Sequence, residues 1–424
     1  MPTPSLLIVP ARFKSGKLYS QIPTSGAGDF TVTRATNATR VNASGLIESV
    51  ASGIPRLDYF ASGGTVGCPA LLVEPAATNT LSGSVSIDTG WTITADTTVT
   101  SGIISPSGST NATLFQATNT ASRVRQTATL ASGSTYTFSC FGKFGALSSG
   151  FSLNVFDENA ASYGSGVCQA FNLNEGTLGA SGTIGAGFTL QSVGMENYGS
   201  GWYRCRMTVL MNYTPTTPRV GFRIGTQIST GRPLSVVSGT VNAWGAQLET
   251  GSVATSYIPT TTGSVTRNAD VVSVSGAVSG SIGQTEGTIY AEVDIKNLTN
   301  GTRIFAISDG TQANRILILF NTTNRIRLLA TVTSATQADI NTATNQPAGI
   351  YKIAVAYALN DYALYINGEQ IGTDATALVP ACSSVFLGTL ETGSGLSSLN
   401  DRFLDGALYT TRLTNAELAS LTSL

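Results

Sequence analysis

The sequence predicts an all-β protein, and three observations carry that prediction. Short runs alternating apolar and polar residues recur along the chain, each bounded by Gly, Ser, Asn or Asp, as strands and their turns require. Glycine supplies 46 of 424 residues, and Ser and Thr are abundant. No long stretch repeats apolar residues at helical spacing, and no repeat of solenoid or propeller length is visible. The chain is long enough for two or three domains. It divides into an N-terminal extended or small β unit over residues 1–82, a jelly-roll-like β-sandwich over 83–262, and a linker plus a second β-sandwich over 263–424 with one short terminal helix.

In the first segment, Asp29–Arg34 and Thr39–Val41 read as short strands, parted by turns at Asn37 and Asn42–Gly45. Gly53–Tyr59 and Leu71–Pro75 follow. None is long enough to bury a core alone, so an arm lying against a neighbouring surface is expected.

The second segment has candidate strands at Gly90–Thr94, Val124–Ala128, Tyr136–Phe141, Phe151–Phe156, Trp202–Leu210, Arg219–Ile224 and Val241–Leu248. Such a series, punctuated by Gly/Ser clusters, is the pattern of a sandwich or jelly roll. Trp202, Cys205, Met207 and Val209 break strict alternation, which predicts a bulge near Tyr203–Arg204. Trp244, Ala246 and Leu248 alternate as one face of a closing strand. Ile258–Pro259 then forces an extended exit. The Gly/Ser/Thr-rich stretch over 259–285 reads as a linker ending in a strand around Val271–Val274.

The last segment has strands at Thr288–Ile295, Arg303–Ile307, Arg315–Phe320, Arg325–Ala330, Tyr351–Leu359 and Tyr362–Ile366. Asn367–Gly368 predicts a tight hairpin, since both central residues of a type I′ turn need positive φ. Thr414 and Glu417 form a capping box that opens the terminal helix.

Composition narrows the function. Charged residues make up 11% of the chain and the net charge is −1, with no basic run, so nucleic acid is not an expected partner. Low net charge favours association with copies of the chain or with other proteins. The longest apolar runs fall far short of the roughly 18–20 residues of a membrane span. The positive residues near the start follow Leu6–Val9 rather than precede it, unlike a signal peptide. The 5 cysteines are scattered and read as reduced thiols of a protein made in a cytoplasm, with a Cys140–Cys205 bridge as the one pairing to consider. Histidine is absent, which removes His-activated nucleophiles and His-based zinc sites. No cofactor or metal is expected.

Certain motifs resemble known families. Residues 29–76, with DFTVTRATNATRVNASGLIESV, GIPRLDY and GCPALLVEPAATN, resemble a recurrent N-terminal motif of tailed-bacteriophage virion proteins. GWYRCRMTV and AWGAQLETGSVATSYIPTTTGSVTR resemble a domain of phage head-spike and tail-fibre proteins. YALYINGEQIG and LTNAELASL are similar to a concanavalin A-like, laminin-G-type domain. The resemblance implies a virion surface protein, made in the bacterial host cytoplasm and mounted through its N-terminal half on other virion proteins. It implies self-association, with a homotrimer expected, and an outward lectin-like domain whose ligand is host-surface polysaccharide.

Few residues invite chemistry. Concanavalin A-like glycoside hydrolases carry E-x-D-x-E on one strand, and here Glu292-Val-Asp294-Ile-Lys296 puts lysine at the third position. Hydrolysis needs two carboxylates flanking the bond, so an exposed strand face is expected and catalysis is not. Asp157–Glu158 reads as a solvated loop tip, with calcium as the rival account. Asn360–Asp361 and Asp401–Arg402 read as turn residues. Tyr357, Tyr362, Tyr365 and Asp361 are the candidate glycan contacts, with Tyr409 behind them, although most tyrosines on strands are core or cross-strand partners. Trp91, Trp202 and Trp244 read as core anchors. The expected role is a non-enzymatic virion structural protein, head spike or tail fibre, that binds glycan. The alternatives are a capsid decoration protein that clamps subunits and, more weakly, a glycan depolymerase.

Overall fold

A computed structural model describes residues 1–61, 66–147, 150–159, 162–296, 301–389 and 398–424. The described strands pair antiparallel, and the helical elements among the described residues are Asn415–Leu421 and a single 3-10 turn, Ala277–Ser281.

Two six-stranded sheets form the middle sandwich. One runs Thr92–Ile93, Val124–Thr127, Pro218–Ile224, Gly150–Asn159, Ser162–Asn172, Thr177–Ile184; the other runs Thr97–Ile103, Ala112–Ala117, Thr240–Thr250, Thr135–Phe144, Trp202–Met211, Phe188–Asn197. Phe115, Phe138, Phe151, Phe171, Met207 and Phe222 fill the space between them. Two register expectations need correction. Trp202–Met211 pairs without a break against Thr135–Phe144, so there is no bulge at Tyr203–Arg204. Trp202 instead faces outward and Cys205, Met207 and Val209 inward, because both faces of this strand are covered. The irregularity lies in the closing strand, where pairing shifts between Ser139 and Phe141. There Gly245 holds φ 64, and a Cβ on it would sit 2.8 Å from the Phe141 ring. The shift turns Trp244 to the outer face while Ala246 and Leu248 stay inside.

The C-terminal sandwich is built from both ends of the chain. Its first sheet runs Glu369–Asp374, Asp361–Ile366, Gly349–Ala358, Glu286–Ile295, Asp401–Tyr409, Val66–Val73, Leu57–Phe60, with Leu6–Ile8 also paired to Asp401–Tyr409. The opposing sheet begins Phe13–Lys14, Lys17–Leu18, Phe30–Thr33 and continues Val271–Ser275, Ser384–Leu387, Arg303–Ser308, Arg315–Phe320, Ile326–Val332, Ala335–Asn341. Residues 1–82 therefore are not a detached arm. Leu6, Phe30, Val32, Leu71 and Val73 are buried in one core with Ile289, Phe305 and Phe403, which an isolated arm could not offer them. The boundary expected at 82 separates strands that pair.

The stretch over 259–285 is likewise no free tether. Val265–Arg267 pairs with Ala77–Asn79, Asn79 standing opposite Val265, and Val271–Ser275 lies between two strands of the larger sheet. The chain leaves the C-terminal sandwich at Asn79 and returns beside it at Val265, so the middle sandwich is an insertion in that fold.

Buried charges tie this junction together. Arg56 is fully buried and reaches Glu74 at 2.7 Å and also Asp270. Arg267 meets Glu74 at 2.5 Å, and Arg34 meets Asp270 at 2.8 Å. Ser256 donates to Glu74 through both its amide and its hydroxyl, each at 2.6 Å. Beside them, Trp244 packs on Tyr257 (4.4 Å between centroids) and Phe141 (5.4 Å), under Val41 and Ile47 of the N-terminal hairpin Ala38–Val41/Ile47–Val50.

The local signals at the C-terminus hold. Asn367 and Gly368 both take positive φ, at 50 and 87. Glu417 N–H donates to the Thr414 hydroxyl at 3.3 Å while Thr414 N–H donates to the Glu417 carboxylate at 2.8 Å, closing the capping box.

Candidate functional site

The expected tyrosine site is not a surface. Tyr357 and Tyr362 lie in the inter-sheet core and Tyr365 packs under the terminal helix. Their hydroxyls are committed to Gly283 O (2.9 Å), Leu378 O (2.8 Å) and Gln370 Oε1 (2.7 Å) respectively. Asp361 is exposed but ion-pairs with Arg412 at 2.9 Å, and Tyr409 is buried beside Tyr365. These residues do not converge on a ligand. Trp91, Trp202 and Trp244 are all buried.

Asp157–Glu158 is not a solvated tip. Asp157 accepts from Tyr213 Oη (2.8 Å) and Thr217 N (2.6 Å). Glu158 is buried among three arginines, Arg123 (3.3 Å), Arg219 (3.0 Å) and Arg125. Cys140 and Cys205 face each other in register and both are free; burial pushes the Cys140 thiol up to about 12.

Glu292, Asp294 and Lys296 share the outer face of their strand as their spacing requires. Asp294 is ion-paired with Arg402, and Tyr290 Oη donates to Glu292 at 3.2 Å. Across the strands, Glu292 stands opposite both Lys352 and Asp405, the latter a carboxylate that sequence spacing could not place there. Burial, with the Glu292 charge beside it, pushes Asp405 up to about 6. Its folded-state pKa thus lies above the unfolded one, so its contribution is favourable at acid pH and lost as pH rises through about 6. Asp405→Asn is expected to match the parent protein at pH 4 and exceed its stability by about 1 kcal/mol at pH 7.5 in urea melts. Partial exposure keeps the gain below the roughly 3 kcal/mol of the whole displacement.

The residues that do converge lie where the two sandwiches meet. A narrow cleft of about 80 Å³ is lined from the N-terminal segment by Asp58 and Phe60, from the middle sandwich by Glu196, Tyr198 and Arg204, and from the C-terminal strands by Lys296, Asp401 and Arg402. It adjoins a wider groove of about 580 Å³ that shares Phe60, Glu196 and Lys296 and adds Tyr203, Glu175 and Gly349. Phe60 is the common floor: Tyr198 packs on it at 4.6 Å, and the Lys296 ammonium sits 3.8 Å from its ring centre. Asp58 accepts the amides of Val41 (2.7 Å) and Phe60 (3.1 Å) and lies 3.7 Å from Arg402. Asp401 accepts the Lys296 amide at 3.0 Å. Burial lowers the Lys296 pKa, with Arg402 adding to the effect, and burial raises that of Asp58. Asp401 and Arg402, expected in a turn, begin a strand and are buried. Sequence reading used Phe60 not at all and Lys296 only as a departure from a hydrolase pattern. The available signal was scarcity: in a chain with 11% charged residues, an ion cluster is worth locating.

Comparison with known proteins fits this architecture. Residues 260–420 match the family model of the concanavalin A-like lectin/glucanases superfamily. Residues 260–420 form a concanavalin A-like lectin/glucanase domain. Among solved structures, the chain is similar to the CBM40 of a Ruminococcus gnavus IT-sialidase at 18% identity and TM-score 0.31, over 35% of this chain and 88% of that one. It is also similar to domain 4 of AbnA, a GH43 extracellular arabinanase of Geobacillus stearothermophilus solved with arabinotriose, at 16% identity and TM-score 0.31, over 41% and 82% of the respective chains. No curated protein sequence matches the chain.

Proposed function

We propose that the chain is a non-catalytic, lectin-like surface protein of a tailed-bacteriophage virion that binds host-surface polysaccharide and works as an oligomer. The observation that carries the glycan-binding part is the concanavalin A-like lectin/glucanase domain over 260–420. A non-catalytic role is supported by the candidate hydrolase strand, where Asp294 is committed to Arg402 and Lys296 stands in the third position. The virion role is supported by the motifs at 29–76 and 243–267. Because the strands of residues 1–82 are interlocked with the C-terminal sandwich, the inserted sandwich is the candidate mount on this reading. Weak sites gain from cyclic assembly, since linked copies bind with avidity.

Fluorescently labelled full-length protein is expected to bind host cells saturably, to lose that binding when surface polysaccharide is destroyed with periodate, and to release no reducing ends from it. Released reducing ends would convert the reading to a depolymerase. Undiminished binding after periodate would remove glycan as the ligand. A protein that binds no cells, but whose loss lowers capsid resistance to heat, would be a decoration protein.

A further inference from the structure

We infer that the groove between the two sandwiches is the saccharide site, and that it takes an uncharged sugar whose hydroxyls donate to Glu196 while the ring lies against Tyr203. This rests on the glycan-binding reading above. The groove offers a volume of about 580 Å³, in the range of sites that hold a drug-sized ligand or a short saccharide. Its two walls belong to different units: Met195, Glu196 and Tyr203 to the middle sandwich, Asp294, Lys296 and Gly349 to the C-terminal one.

The class of ligand follows from which polar groups remain free. Arg402 is held by Asp58 and Asp294, Arg204 by Thr255 O (2.6 Å) and Ser139 Oγ (3.1 Å), and Arg40 by Glu48 (2.8 Å). The Lys296 ammonium is folded onto Phe60, shielded from solvent and without a hydrogen-bond partner. Among the described residues that line the groove, no cation is left at its surface to receive a carboxylate or sulfate. Glu196 is half-buried, and no hydrogen bond joins its side chain to another described residue. A free acceptor of negative charge repels acidic sugars and suits hydroxyl donors, and charge-assisted hydrogen bonds to a carboxylate are the stronger kind.

The test uses the full-length protein on an array of neutral hexose oligosaccharides beside sialylated and sulfated ones, with thermal melts of every variant. The expected result is binding to neutral probes and an affinity loss of tenfold or more in Glu196→Gln and in Tyr203→Ala. Glu196→Gln breaks no internal hydrogen bond but removes a charge that acts on the buried Lys296 and Arg204, so its melt is read beside its binding, and a binding loss at an unchanged melting point is a loss at the site. Binding to neutral sugars that Glu196→Gln leaves intact would overturn this site while leaving the glycan-binding reading standing. A preference for acidic probes, lost in Lys296→Met, would overturn the ligand class. Binding to no probe would overturn the site together with the reading beneath it.

Discussion

Glu74→Gln is expected to cost the protein about 3–5 kcal/mol, the range for breaking one partner of a buried ion network. The substitution changes little in shape, but it leaves Arg34, Arg56 and Arg267 buried with Asp270 and the nearby Glu249 to balance them. Those arginines come from three stretches of chain, so the loss falls on the joint between the N-terminal segment and the chain returning at Val265, with Ser256 of the inserted sandwich also bound to Glu74. A surface pair supplies the control. Asp339→Asn removes the exposed partner of Arg327, at 2.6 Å, and should cost under about 1 kcal/mol. The two variants also separate with pH. Burial alone would raise the Glu74 pKa, but Arg267, Arg56 and the Ser256 donors outweigh it and hold Glu74 down at about 2. A depressed carboxyl stabilises the fold fully above its unfolded pKa and loses that contribution as pH falls through the folded one. The parent protein should therefore shed this stability between about pH 4.5 and 2, and Glu74→Gln should lack that acid slope. Urea melts at pH 7 and across the acid range check both; equal losses in the buried and surface variants would refute the network's role.

How much of this was legible depended on whether a residue's surroundings are local. The hairpin at Asn367–Gly368 and the capping box at Thr414 and Glu417 are set by residues within one turn, and both stand as the sequence predicts. Alternation located most strands but could not say which faces are covered. Tyr357 and Tyr362 point into the sandwich and Tyr365 out of it, yet all three are buried, because the terminal helix lies over the outer face. Strands with no covered face were missed for the opposite reason: Thr177–Ile184 is exposed along nearly its whole length and has no apolar side to alternate. The motifs GIPRLDY, GCPALLVEPAATN and AWGAQLETGSVATSYIPTTTGSVTR were legible as signatures but not as physics. Arg56, Glu74 and Arg267 lie in them and Asp270 lies just beyond the last, and only the fold shows that they meet. The groove was illegible for the same reason, since Phe60, Glu196 and Lys296 are far apart in sequence and are joined by an insertion that no periodicity marks.

That insertion sets the second large expectation, that residues 265–424 expressed alone will not fold. Removing the N-terminal segment strips Leu6, Ile8, Leu18, Phe30, Val32, Leu57, Leu71 and Val73 from the shared core. At roughly 1.5–3 kcal/mol for each buried side chain, the loss exceeds the roughly 5–15 kcal/mol by which a whole domain is stable. It also bares strand edges: Asp401–Tyr409 loses Val66–Val73 and Leu6–Ile8, and Val271–Ser275 loses Phe30–Thr33. Unpaired apolar edges favour aggregation. The complementary chain should behave differently. Residues 1–79 joined to 265–424 through a short Asn-Gly turn keep both sheets whole, because Asn79 and Val265 are already cross-strand neighbours. Cooperative thermal unfolding of the joined chain, against an aggregated or uncooperative 265–424, would establish the sandwich as one fold interrupted by another. A cooperative transition in 265–424 alone would show that the N-terminal strands merely lie on a finished domain, and the attachment arm expected from sequence would return.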